Sequence, residues 1–259
     1  MSMPQNDTER PGWANATTTL NGMRVLVLGG TGGVGEGVVR ALLDDGATVI
    51  ATSRTRDRLD DLATRIAHPR LSGETLDALA SGLDERAAQL AARHGGPFDG
   101  VVVSVASWGA QGRKPVLSLT DAEWDEQVAA NLTAVFRLYR AFVPHLATAG
   151  ALIQLNGMSA DIPFPGAAGV ALTAAAQKSL TRTLAAELGA RGPRVYEVIL
   201  GVIRTRARQE AGIDDAGWIP AAHVGRHVAE LVAGTSPLSG DDLHCFADVT
   251  RGPQSGTRR

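Results

Sequence analysis

A single cysteine in 259 residues, two tyrosines and an aromatic content of 4% set the first limits on this chain. One thiol, Cys245, closes no internal disulfide and builds no multi-cysteine metal site; it reads as a small apolar residue in a late strand. No apolar run approaches the roughly 20 residues that a membrane-spanning helix needs. Neither sign of charge dominates: 25 Lys and Arg stand against 27 Asp and Glu, for a formal net charge of -2. That balance argues against a general nucleic-acid or membrane-surface binder. The six histidines show no metal-ligand spacing, since His223 and His227 stand four apart on a late helix without a third ligand. The opening stretch, MSMPQNDTERPGWANATTT, lacks a basic segment followed by an apolar one, so residues 1–18 are expected as a flexible tail and the protein as soluble and cytoplasmic.

What the chain does have is apolar residues at 44%, and they fall in a regular order. Strand-like runs are RVLVLGG (24–30), TVIATS (48–53), LSGETL (71–76), FDGVVVSVAS (98–107), ALIQLNG, RVYEVILG and DLHCFAD. Helix-like segments separate them, including a long one over TDAEWDEQVAANLTAVFRLYRAFVPHL that opens on a Thr/Asp cap with Glu123 close behind. Continuous valines in the fourth run imply burial on both faces. Strands alternating with helices predict an α/β fold: one Rossmann-like, doubly wound parallel sheet of about seven strands with helices on both faces. A single domain is expected over about 19–249, followed by a polar tail over 250–259.

After the first strand comes LGGTGGVGEG, with Gly29, Gly33 and Gly35 at G-x-x-x-G-x-G spacing. Between a strand and a helix, glycine lets the backbone turn tightly and approach a pyrophosphate, which then sits on the first amides of the helix. The end of the second strand refines the cofactor. An acidic side chain there would favour a free ribose hydroxyl, but the sequence reads ATSRTRDR, with Ser53 and Arg54 at the strand end. A guanidinium grips a 2'-phosphate through paired donors, so NADP (NADPH) is preferred over NAD. Arg56 and Arg58 read as a solvated helix start.

In this order the residues resemble the short-chain dehydrogenase/reductase family, from about Leu20 to Asp248. The opening differs in carrying Leu28 where that family has a threonine. The resemblance implies a nicotinamide cofactor against Gly29, Thr31, Gly33, Val34 and Gly35, with Asp77 on the adenine. VSVAS replaces the family's N-N-A-G, leaving Ser104 and Ala106 beside the adenosine ribose. GVIRT stands for P-G-x-x-x-T, with Leu200 in place of proline, and assigns Gly201, Ile203 and Thr205 to the nicotinamide end. Asn131 matches the helix asparagine that supports a water near the active site. A small-molecule substrate, and a homodimer or homotetramer built through the asparagine helix and the helix AGVALTAAAQKSLTRTLAAEL, follow from the same likeness.

The family's catalytic serine lies thirteen residues before a tyrosine, and its lysine four after. LTRTLAAEL downstream and PFPG upstream fix the register and place Gly157, Val170 and Ala174 at those three positions, so only Asn131 of the usual four is retained. Tyr139 and Tyr196 have no lysine four residues later and read as packing residues, and Trp124 as a structural residue of the asparagine helix. Lys178, one turn beyond Ala174, either reaches the cofactor or is an ordinary polar helix position. Asn156, Ser159 and Asp161 fall at the expected pocket mouth, where a desolvated carboxylate titrates late; an exposed turn is the simpler reading of Asp161. Trp108, Gln111 and Lys114 follow the fourth strand, and Trp218 follows GVIRT; the two tryptophans line a substrate pocket or simply pack. Valine, alanine and glycine transfer no protons. The expected function is an atypical oxidoreductase on a small organic carbonyl. A non-redox cyclase, isomerase or dehydratase, or a non-catalytic nucleotide-responsive partner, are the alternatives.

Overall fold

Runs of β-branched and aliphatic residues buried on both faces form the strands. A computed structural model describes residues 10–110 and 112–256 of the chain. In chain order the strands are β1 (Arg24–Leu28), β2 (Thr48–Ser53), β3 (Leu71–Thr75), β4 (Phe98–Val103), β5 (Leu146–Gly157), β6 (Arg194–Leu200), β7 (Ile203–Arg204), β8 (Ile219–Pro220), β9 (Leu243–Phe246) and β10 (Gln254–Ser255). Eight of them make one sheet in the order β10-β9-β6-β5-β4-β1-β2-β3, and β7 pairs with β8 in a small separate one. All pairings in the large sheet are parallel except that of β10 with β9. Chain order reverses between β1 and β4, and the carboxyl ends of those strands open the crevice where such sheets bind ligands.

Helices α1 (Gly33–Asp44), α2 (Arg56–Ile66) and α8 (Ala221–Ala233) cover one face, where Val38, Leu42, Leu59 and Val228 meet Val25, Val27 and Ile153. Helices α3 (Leu83–Arg93), α4 (Asp121–Val128), α5 (Ala134–Phe142) and α6 (Ala168–Leu188) lie on the other, where Leu90, Leu138 and Phe142 meet Leu26, Val101 and Leu152. A short α7 (Arg206–Glu210) follows β7. The Thr120 cap forms both arms of a capping box with Glu123. The single long helix expected there is instead α4 and α5 joined by a π turn over Ala129–Thr133, which widens the coil at Asn131.

Both expected tails need correction. Residues 1–9 and 257–259 lie outside the described residues, but residues 10–18 are docked rather than free. Arg10 pairs with Asp45 at 2.5 Å, and the Asn15 amide donates to Glu230 Oε1 at 2.6 Å. The Trp13 ring meets Phe246 edge-on at 5.3 Å. Apolar area on Trp13 outweighs the polar company it keeps in the sequence. At the other end, Gln254–Ser255 adds an eighth strand to the sheet, and Gly252 lies against the Trp13 ring.

Candidate active site

The glycine turn between β1 and α1 is fixed by sterics. Gly29 has φ +83°, and a Cβ there would fall 2.3 Å from the Ser104 carbonyl oxygen. A Cβ on Gly35 would fall 2.2 Å from the Gly29 oxygen. Only glycine lets the loop close this far onto the ends of β1 and β4. Gly32 caps α1 without a side-chain bond, leaving the amides of the first turn facing the crevice end.

From this turn a cleft enclosing about 840 Å³, counting space open to solvent, runs over β1, β2 and β4. Of the residues singled out by sequence, Gly29, Thr31, Ser53, Arg54, Asp77, Ser104 and Ala106 line it together. Thr31 Oγ1 donates to Ser53 Oγ at 3.1 Å, closing the turn onto the end of β2. Arg58 is exposed in the first turn of α2, as expected of a solvated helix start, and it also borders the cleft. Leu76, Ala78 and Leu79 form an apolar wall that sequence reasoning missed, because they sit in an irregular segment after β3 with no periodicity to mark them.

The residues expected at the nicotinamide end do not line this cleft. Thr205 reaches it indirectly: a Cβ on Gly33 would lie 2.8 Å from Thr205 Cβ, so the start of α7 packs on the glycine turn. Ile203 is buried in β7, and Gly201 packs on Ala247. Val34 packs against the core beneath α1. In the first turn of α1, Glu36 gathers Arg40 and Arg65 at 3.0 Å and Arg206 of α7 at 3.4 Å. Burial alone would raise its pKa, but hydrogen bonds from Arg65 and Arg40 and the charge of Arg206 hold the carboxyl below the usual range.

Asn131 is buried in the π turn, and its amide spans the backbone of Ser107: Oδ1 accepts from Ser107 N at 2.7 Å, and Nδ2 donates to Ser107 O at 2.9 Å. The Asn131 carbonyl takes Gln177 Nε2 at 2.8 Å. Gln154 Nε2 donates to Gln177 Oε1 at 3.1 Å, and Tyr139 OH to Gln154 Oε1 at 2.9 Å. This chain of amides was invisible in sequence, where Gln154 and Gln177 lie on different elements and nothing marks them as partners.

Gly157 ends β5, and Val170 and Ala174 lie on α6 with Ala174 buried. Val170 borders a small hollow with Trp108, Lys114 and Gln127. Both tyrosines are buried, the Tyr196 hydroxyl donating to Ser239 O at 3.2 Å. The chain has only two lysines. Lys114 pairs with Glu123 at 2.7 Å and pulls that carboxyl down to about 2; Lys178 pairs with Asp161 at 2.5 Å rather than reaching the cleft. Trp108 is half exposed and tilted on Phe164 at 5.8 Å, whereas Trp218 lies under the Arg208 guanidinium and borders neither hollow. Trp124 stands part exposed on α4, and Ser159 on the turn after β5. Gln111 lies outside the described residues.

A family described as enoyl-(acyl carrier protein) reductase matches residues 29–233. Gluconate 5-dehydrogenase of Gluconobacter oxydans (strain 621H) is 26% identical over 231 residues, covering 85% of this chain and 89% of that protein. The 3-oxoacyl-(acyl-carrier-protein) reductase of Vibrio cholerae is 25% identical over 245 residues, covering 87% and 96%. Among solved structures, a short-chain dehydrogenase/reductase from Serratia marcescens superposes with a TM-score of 0.75 at 24% identity, over 89% of this chain and 98% of that one. A gluconate 5-dehydrogenase from Burkholderia cenocepacia in complex with NADP and tartrate gives 0.73 at 21% identity, over 84% and 91%. With the matched stretch running from the first glycine of the turn to the end of α8, the chain belongs to the short-chain dehydrogenase/reductase family of oxidoreductases.

Proposed function

We propose that the protein is an NADP-dependent oxidoreductase acting on a small organic carbonyl or a related group, with its proton drawn from water or the substrate rather than from a phenol. The observation that carries this reading is one cleft lined by the glycine turn together with Arg54 and Arg58. A dinucleotide fits that arrangement. The turn approaches β4 so closely that a Cβ at Gly29 has no room, which leaves backbone amides to meet a pyrophosphate. Ser53, Arg54 and Arg58 present donors for a 2'-phosphate, and Asp77 with the Leu76 wall borders the adenine end. The NADP-bound relative, alike in fold, is consistent with this choice.

When bound, NADPH supplies a hydride to a carbonyl carbon. The chain's own residues would hold it: Ser104 and Ala106 line the cleft beside the glycine turn, and Thr205 packs against that turn. In this reading Gly157, Val170 and Ala174 occupy the places of the family's serine, tyrosine and lysine. A positioned general acid contributes about 10²–10⁴-fold in rate, so its loss restricts the protein to substrates that need little proton assistance. Alignment against the cofactor retains its own advantage.

The burial of both tyrosine hydroxyls and the ion pairing of both lysines favour a second reading, a protein that binds the nucleotide without redox chemistry. One experiment separates the two. NADPH is titrated by fluorescence, and its oxidation is then followed with a panel of ketones, enones and imines. Binding with turnover of at least one substrate is expected. Binding without any turnover selects the second reading, and no binding refutes the cofactor assignment.

A further inference from the structure

Beneath α6 the sheet carries a carboxyl that the reading above does not use. Glu197 stands in the middle of β6, paired with Gln154 of β5 and Leu243 of β9, and it is fully buried. Its Oε1 accepts a hydrogen bond from Asn156 Nδ2 at 2.7 Å, while Oε2 has no partner among the described residues. The same Nδ2 donates to the Ala174 carbonyl at 2.8 Å, and Asn156 Oδ1 takes the Gly157 amide at 2.8 Å. One amide side chain therefore joins the carboxyl to the last residue of β5 and to the middle of α6. An unpartnered buried oxygen is unfavourable, and an apolar side chain of the same size would avoid it.

We propose that Glu197 is a positioning residue for the reaction at this site, setting through Asn156 how the end of β5 is held against α6. The inference rests on the oxidoreductase reading, because the two places it joins are Gly157 and Ala174. Burial pushes the carboxyl up to about 7, against the opposing pull of Asn156, Thr181 and Lys178, and Asp161 adds to the rise. The groups around it are the Tyr139 hydroxyl from α5, Lys178 from α6 and Asp161 from the turn after β5. Cys245 on β9 shares the last two as neighbours. Burial raises Tyr139 far above its ordinary range and raises the Cys245 thiol as well. Near neutrality Glu197 is thus the member of this cluster that changes charge. Once ionised it draws harder on Asn156 and competes with Asp161 for Lys178, so the joint between β5 and α6 changes with pH.

The test is fluorescence titration of NADPH at about pH 6 and about pH 8.5, on either side of this group, for the wild type, Glu197→Gln and Asn156→Ala. Glu197→Gln keeps the size and also reports any effect of the ligand's own phosphate titration. The expected result is a wild-type affinity ratio between the two pH values that departs from the Glu197→Gln ratio by about fivefold or more, the lower range of coupling between two sites. Thermal midpoints provide the second readout: Glu197→Gln gains relative to wild type as pH rises, whereas Asn156→Ala follows the wild-type pH trend but loses the change in affinity. Equal ratios in wild type and Glu197→Gln overturn the proposal, whether or not Asn156→Ala folds. Absence of NADPH binding at both pH values overturns the oxidoreductase reading, and this proposal with it.

Discussion

Two guanidinium groups, Arg54 and Arg58, border the same end of the cleft, next to the Thr31–Ser53 hydroxyl pair. A hydrogen bond to a charged group is worth about 1.5–3 kcal/mol, or roughly 10- to 100-fold in affinity. Arg54→Ala is therefore expected to weaken NADPH binding by about tenfold or more, while NADH binding, measured in the same titration, changes by less than about threefold. Arg58→Ala should act in the same direction more weakly, since it stands on the first turn of α2 beyond the strand end. Equal losses for both nucleotides would place the arginines away from the 2'-phosphate. Arg54 was legible in the sequence because it immediately follows a strand of clear period. Arg58 was read correctly as an exposed helix start, but its place on the cleft rim shows only once α2 is set beside β2. Glu197, Gln154 and Gln177 were equally hidden: a polar residue says nothing of its partner until the strands and α6 are brought together.

Between elements, α1 and α8 pack backbone to backbone. A Cβ on Gly225 would lie 2.5 Å from Ala41 Cβ and 2.9 Å from the Gly37 oxygen, and one on Gly37 would lie 2.4 Å from Ala221 Cβ. Neither neighbour is the flexible end of a side chain, so the helices themselves must separate. Gly225→Ala is expected to destabilise the protein by about 1–3 kcal/mol in urea unfolding, with NADPH affinity unchanged in the variant that remains folded. A loss below about 0.5 kcal/mol would mean that α8 slides freely. Helix spacing from sequence gave α1, α6 and α8 correctly but missed the π turn at Asn131, since an inserted residue leaves the flanking apolar pattern of α4 and α5 almost intact.

Over the whole molecule, stability on the acid side is governed by a buried histidine pair. His227 Nε2 and His244 Nδ1 are 2.8 Å apart, and His244 Nε2 lies 3.1 Å from the Leu238 and Asp241 carbonyls. Burial holds both rings below their ordinary value, with the His244 neighbour adding to the effect on His227. Each is neutral when folded, so the stability they contribute is present above the unfolded value near 6.5 and is lost as pH falls below it. Glu197 works in the opposite direction, because its folded form keeps a proton that the unfolded form has shed, and burial of Glu230 adds a smaller share of the same sign; the two histidines outweigh them over this range. The urea midpoint should therefore fall between about pH 7 and pH 5, and fall more steeply in Glu197→Gln; a flat profile would exclude a neutral pair. At this scale the alternating strands and helices were readable end to end. The two-residue β7, β8 and β10 were not, since strands so short carry no period.

The docking of Trp13 on Phe246 and of Gly252 on Trp13 has a mechanical meaning. The segments flanking the sheet clasp one another at a single corner, so a load applied to either enters the fold at the same place. Clipping the chain between Trp13 and Leu20 would unseat the far end as well as the near one.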